Sequence, residues 1–331
     1  MKRGVKRAEV TSKALFFLFE MLLAILVLVA LLSYVESLKD NTLFEKHHLT
    51  RDVSLLLNTI SIAPGNLFYQ YTNSKIDLDK FEFIFRDNKV EIRESQKDKA
   101  SYISFPYSEN ALLNNQLNNI RSEKQLIFLK SGNEFITSSN RNLDKIKCKK
   151  SKQTTNNKTI IDIQDQSTSK QTDKIFSILK GIKDKGDSNY FEYTRTDKSI
   201  KDDQPIKNIK IKDKTLYSFI SITFGSYTNK NKNFIKAYYN INSSKKETSQ
   251  QLACEITNYL SDNLDVDGIS IIPLNPEDIE KQNMKILDND NSVIILEIGN
   301  LQNSRLNTLT NKELTNLGHS ISNAIKGVIE N

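Results

Sequence analysis

The chain holds two cysteines, three histidines, five prolines and ten glycines in 331 residues. Cys148 and Cys254 stand far apart and form no CxxC pair, and neither has a histidine beside it, so the dithiol and cysteine-ligated zinc signatures are excluded. No P-loop or Rossmann glycine pattern occurs, which removes the common phosphate-cradling motifs. The three histidines limit imidazole chemistry. His47 and His48 are adjacent, where a shared metal is geometrically poor and solvent exposure is expected, and His319 falls between Leu317 and Ile321 in a helical pattern, where a structural role is the common one. What is present is 38% hydrophobic residues, enough for packed cores, in a length that suits two folded units plus appendages.

The net charge of +7 points to nucleic acid only if the excess is spread over a folded surface. Much of it sits in the first thirteen residues, "MKRGVKRAEVTSK", with Lys2, Arg3, Lys6, Arg7 and Lys13 against Glu9. Elsewhere Lys and Asp/Glu are interspersed, with no aromatic-interleaved basic stripe, zinc finger or helix-turn-helix signature. No nucleic-acid partner is expected.

The run "ALFFLFEMLLAILVLVALLSYV", Ala14 to Val35, has the length and apolar character expected of a helix crossing a hydrocarbon core of about 30 Å. No small-x-small cleavage site follows, so the reading is a retained single-pass anchor with the bilayer as partner. The basic flank predicts a cytoplasmic N-terminus and extracytoplasmic remainder, hence a cell-membrane location. Glu20 inside the run is costly against lipid and is explained by snorkelling or protonation near the basic flank. Alternatively, "SKALFFLFEMLLAI" resembles type IV pilin-like signal segments, which implies processing and self-association through this helix.

Beyond it, "FEKHHLTRDVSLLLNTISIAPGNLFYQYT" reads as a helix with Leu55, Leu56 and Ile60 on one side, ended by Pro64 and Gly65. "KFEFIFRDNKVEIRE" alternates Phe81, Phe83 and Phe85, turns at Asp87 and Asn88, and resumes with Val90 and Ile92, which predicts a β-hairpin. "ASYISFPYS" and "KQLIFLKSGNEFITS" supply further strands. Residues 138–158 are polar and basic with almost nothing to bury, which suits a linker. An oxidising exterior would permit Cys148 in this tract to pair with Cys254, and the sequence leaves that open. Asn157 in "NKT" and Asn242 in "NSS" are sequons for glycosylation.

From Thr159 onward strands alternate with helices: "TIIDIQ", then "TDKIFSILKGIKDKG" with Ile175, Ile178, Leu179 and Ile182 on one face, then "YFEYTRTD". "TLYSFISITFG" and "NFIKAYYNI" are strands, "KETSQQLACEITNYLSDNL" a helix, "VIILEIGN" a strand and "KELTNLGHSISNAIKGVIEN" the closing helix. This alternation predicts an α/β layer with a mixed, mainly parallel sheet flanked by helices. The expected organisation is a basic tail (1–13), a transmembrane helix (14–35), a small α+β stalk domain (36–137), a linker (138–158) and an α/β domain (159–331).

The ordered series "IIDIQD", "YTRTDKS", "LYSFISITFGS", "IKAYYNINSSKKETSQQLACEI", "VIILEIGNLQNS" and the terminal helix resembles the zinc-dependent N-acetylmuramoyl-L-alanine amidases of the amidase-3 type, over about half the chain. The resemblance implies a zinc held by two histidines and a glutamate, a metal-bound water attacking the lactyl-alanine amide, and a second glutamate as acid/base. Matched position by position, the first histidine falls on Asp165, after Asp162, Ile163 and Gln164. The ligand glutamate has no counterpart in "QSTSKQT", and the second histidine falls on Thr223. No zinc cofactor is therefore expected. Glu297 alone matches, at the acid/base position, and is read as a relic that caps or hydrogen-bonds neighbouring backbone at the end of a core strand. A weaker alternative is a hard cation held by Asp165, Asp162 and Glu297. The reading is a non-catalytic module for a cell-envelope glycan or a surface protein, with an active divergent amidase and a pilin-like filament subunit as alternatives.

Overall fold

The computed structural model describes residues 16–32, 42–94, 102–121, 123–139, 146–148, 158–163, 169–185, 191–193, 217–223, 232–264, 266–282, 284–288, 291–299 and 309–329. The first element, α1, is a helix over residues 16–32 with exposed side chains. Among the described residues no helix is long and apolar enough to cross a membrane. That overturns the expected span over 14–35, together with the bilayer partner and the single-pass cell-membrane location built on it. Glu20 is an exposed residue of this helix.

Helix α2 (Leu43–Ile62) buries Leu49, Val53, Leu57 and Ile60, at spacings that keep one face inward. The expected face was wrong in part: Leu55 is half exposed, because it lies nearly opposite the inward arc. The helix ends as expected at Pro64 and Gly65. Gly65 has φ +74°, and a Cβ there would lie 1.9 Å from the Ile271 carbonyl oxygen, so only glycine fits. The chain thereby turns straight into strand β1 (Asn66–Tyr71).

The expected hairpin is β2 (Phe81–Arg86) and β3 (Lys89–Glu94), joined by Asp87 and Asn88 at φ 49° and 56°, the left-handed pair that a two-residue hairpin needs. With β4 (Ile103–Pro106) and β6 (Ile120–Arg121) it forms a four-stranded sheet in the order β4-β3-β2-β6. This sheet and α2 enclose a core of Phe81, Phe83, Val90 and Ile92.

Among the described residues the larger sheet has ten strands. It adds β5 (Asn114–Leu117), β7 (Leu126–Ser131), β8 (Glu134–Ser138), β9 (Lys158–Ile163), β10 (Phe191–Tyr193), β11 (Tyr217–Thr223), β12 (Phe234–Asn240), β13 (Gly268–Leu274) and β14 (Ser292–Ile298), in the order β10-β9-β11-β14-β12-β13-β1-β7-β8-β5. Strands β10, β9, β11 and β14 are parallel, β12 and β13 run together against them, and β1 pairs antiparallel with β13. The sheet is thus mixed, and it continues from the C-terminal half into the N-terminal half through β1.

Helices α3 (Ser169–Lys185), α4 (Lys246–Asn263) and, closing the described chain, Asn311–Ile329 cover one face of this sheet through Ile178, Ile182, Leu252, Ile256, Leu317 and Ile321. The short helix α5 (Pro276–Lys281) packs on the other face with Leu287, Ile160, Phe219, Tyr238, Val293 and Ile295; the closing helix is therefore α6. A disulfide joins Cys148 to Cys254, the pairing that the sequence left open.

Candidate functional site

Strand alternation decides which residues can share a site. Along β14, Ile294, Leu296 and Ile298 join the core under α3, α4 and α6, whereas Val293 and Ile295 join the cluster under α5. Glu297 therefore sits on the α5 side. Its register partner on β11 is Thr223, and on β12 it is Lys236. Two residues along β12, and so on the same face, lies Tyr238. Two residues back along β11 lies Ser221, whose partner on β9 is Asp162. Asp162, Ser221, Thr223, Glu297, Lys236 and Tyr238 thus share one face of four adjacent strands.

The Tyr238 hydroxyl donates to Glu297 Oε2 at 2.9 Å, and Lys236 Nζ lies 3.8 Å from Oε1. Glu297 is largely covered, at 14% side-chain exposure, and Lys236 is at 28%, so the pair is less screened than an open surface pair. Burial, then the Glu297 charge, then the hydrogen bond to it push the Tyr238 phenol well above its ordinary value. Each cause favours the protonated, donating phenol. Glu297 is accordingly a carboxylate with a donor on one oxygen and an ammonium facing the other.

Thr223 and Ser221 are buried, and their hydroxyl oxygens have no hydrogen-bond partner among the described residues. Asp162 is fully buried on β9. Asp165 and Asn157 lie outside the described residues. Asn242 is exposed in the turn that follows β12, its backbone N–H donating to Asn240 Oδ1 at 2.8 Å. His47 and His48 are exposed on α2, and His319 is carried by α6 on the opposite side of the sheet from Glu297.

Zinc is the group the sequence resemblance implies, and the residues at this place do not fit it. A threonine hydroxyl is a poor zinc donor beside imidazole or thiolate, and an ammonium 3.8 Å from the one matching carboxylate opposes a dication electrostatically. Among the described residues no group of three or more His, Cys, Asp or Glu is placed to hold a metal. Sequence reasoning missed Lys236 and Tyr238. Alternation in "FIKAYYN" puts both on one face, but only the β12–β14 register brings them to Glu297.

No family model matches the chain, and no curated protein matches it. Among solved structures it is similar to the CwlD amidase from Clostridioides difficile, there in complex with the GerS lipoprotein. That likeness has 17% identity over 53% of this chain and 99% of that chain, with a TM-score of 0.36. It is also similar to the N-acetylmuramoyl-L-alanine amidase AmiC2 of Nostoc punctiforme, at 15% identity over 53% of this chain and 97% of that one, with a TM-score of 0.37. The catalytic domain of CwlV, an N-acetylmuramoyl-L-alanine amidase from Bacillus (Paenibacillus) polymyxa var. colistinus, is similar at 16% identity over 52% of this chain and 98% of that one, with a TM-score of 0.35.

Proposed function

We propose that the C-terminal half is an amidase-related module that works by binding and not by hydrolysis, holding a cell-envelope glycan or a surface protein. One observation carries this reading: the carboxylate at the acid/base position, Glu297, accepts from Tyr238 and faces Lys236, and its neighbour at a ligand position is Thr223. A general base needs an oxygen free to take a proton from water, and here one oxygen accepts from Tyr238 while the other faces Lys236. Without a metal to activate that water, the remaining groups supply little of the chemistry the resemblance implies. The order of motifs along the chain supports the kinship, and the substitutions within them support the change of role.

The test is to incubate the full chain with purified peptidoglycan and measure two things: protein that sediments with the polymer, and new amino termini released from it. Sedimentation without new termini is the expected result. Time-dependent release of amino termini that scales with protein would establish the divergent-amidase reading instead.

A further inference from the structure

We propose that residues Ile146–Cys148 form a redox-operated clasp between the two halves of the molecule. The inference is independent of the amidase kinship. This three-residue piece touches both halves at once. On one side, the Lys147 backbone N–H donates to Ser131 Oγ at 3.1 Å and its ammonium reaches Glu134 Oε2 at 2.7 Å, at the facing ends of β7 and β8. On the other, Cys148 is bonded to Cys254 of α4, and Asn258, one turn further along that helix, donates from Nδ2 to the Ile146 carbonyl at 2.8 Å and to Cys148 Sγ at 3.2 Å. Ile146 is buried in the core beneath α4 at 2% exposure.

The disulfide decides whether the clasp is shut. Among the described residues its non-covalent hold is built on one isoleucine side chain, an exposed ion pair and a few hydrogen bonds. Those gains are similar in size to the entropy of ordering three residues with their side chains. Removing the covalent tether therefore tips the balance toward release. The pairing β1–β13, which also joins the halves, does not involve these residues and stays.

Opening needs a dithiol reductant. Cys254 is 1% exposed, whereas Cys148 is half-buried and is the sulfur that can be reached. A thiolate of the dithiol attacks Cys148 Sγ, the S–S bond breaks and Cys254 leaves as a thiolate that takes up a proton. The second thiol of the reductant then displaces Cys148, which leaves and is protonated in turn. Two electrons and two protons pass to the protein, and the reductant departs as its own disulfide. The product has a released Ile146–Cys148 piece and an uncovered Cys254–Asn258 face on α4.

The test is hydrogen–deuterium exchange of the full chain, oxidised and then treated with dithiothreitol, with the Cys148→Ser variant as a reductant-free counterpart. Expected is exchange in peptides covering 146–148 faster by about tenfold or more, with β1, β13 and α4 at their oxidised rates. Unchanged exchange at 146–148 would overturn the proposal by showing that non-covalent contacts suffice. Loss of protection across β1, β13 and α4 together, or failure of the variant to fold, would also overturn it, because the bond would then be a staple for the whole fold. Two titratable thiols in the air-oxidised protein would do the same.

Discussion

Helices α3 and α6 cross backbone to backbone, so replacing Gly318 by alanine is the perturbation most directly measured by the packing. A Cβ on Gly318 would lie 2.1 Å from the Ile178 carbonyl oxygen, 2.8 Å from Ile182 N and 2.9 Å from Gly181 Cα. All three are backbone atoms, which cannot swing aside, so the helices must part by about 1 Å to reach ordinary contact. A gap of that size forfeits about a quarter to a half of the dispersion energy across it. The side chains in the seam are Ile178, Ile182, Leu314, Leu317 and Ile321, all buried. At about 2 kcal/mol each for full burial, losing about a quarter over five residues costs about 2.5 kcal/mol. The better helix propensity of alanine returns at most about 1 kcal/mol, leaving a destabilisation of about 1.5–2 kcal/mol. Gly327 lies in the same helix with nothing within 4 Å of a Cβ, so Gly327→Ala is expected to stabilise by up to about 1 kcal/mol. The assay is urea denaturation of wild type and both variants, comparing midpoints at constant slope. Opposite signs are expected. Equal effects of the two substitutions would refute the close crossing.

Other expectations concern the tyrosines, the Glu297 contacts and one buried lysine. Burial and the neighbouring Glu109 push Tyr107 up to about 12, burial and the hydrogen bond to Asp52 raise Tyr71, and Tyr238 is raised as described. Raised phenols contribute their stability in full below pH 10, and it is lost as pH climbs through 10 toward the folded values, because the unfolded phenols ionise first. A phenolate absorbance titration of the folded protein should leave at least these three of twelve tyrosines protonated at about pH 11; all twelve titrating near 10 would contradict it. Tyr238→Phe, which removes the donor to a covered carboxylate, should cost about 2 kcal/mol, and Lys236→Met less than about 1 kcal/mol; chemical denaturation giving the reverse order would reject the hydrogen bond as the stronger hold. Lys130 Nζ donates to the Ile60, Ser61 and Ala63 carbonyls at 3.3, 3.0 and 2.6 Å, closing the end of α2. Lys130→Met should cost about 2 kcal/mol in the same experiment and loosen exchange in the last turn of α2 first; a neutral substitution would show that water serves those carbonyls equally well.

The elements that were legible in the sequence carry strong local signals. Phenylalanine alternation and the Asp87-Asn88 pair specify the β2–β3 hairpin, and the spacing of Ile178, Leu179 and Ile182 specifies the inner face of α3. Strand β13 was not read as a strand, because "GISIIPL" is an apolar run without alternation that ends around a proline. Glu297 was singled out from the sequence, but its surroundings were not. The contacts with Lys236 and Tyr238 depend on an antiparallel pairing between strands some sixty residues apart, which no local periodicity encodes. The bond from Cys148 to Cys254 is likewise a matter of tertiary position, with 106 residues between the partners.

On the function proposed above, Glu297 serves a protein contact network and not a metal centre. Titration of zinc into the metal-stripped full chain, with elemental analysis of the protein as purified, tests it most directly. Expected are no stoichiometric zinc in the purified protein and no saturable site on titration. One tightly held zinc per chain, released by Glu297→Gln, would contradict it.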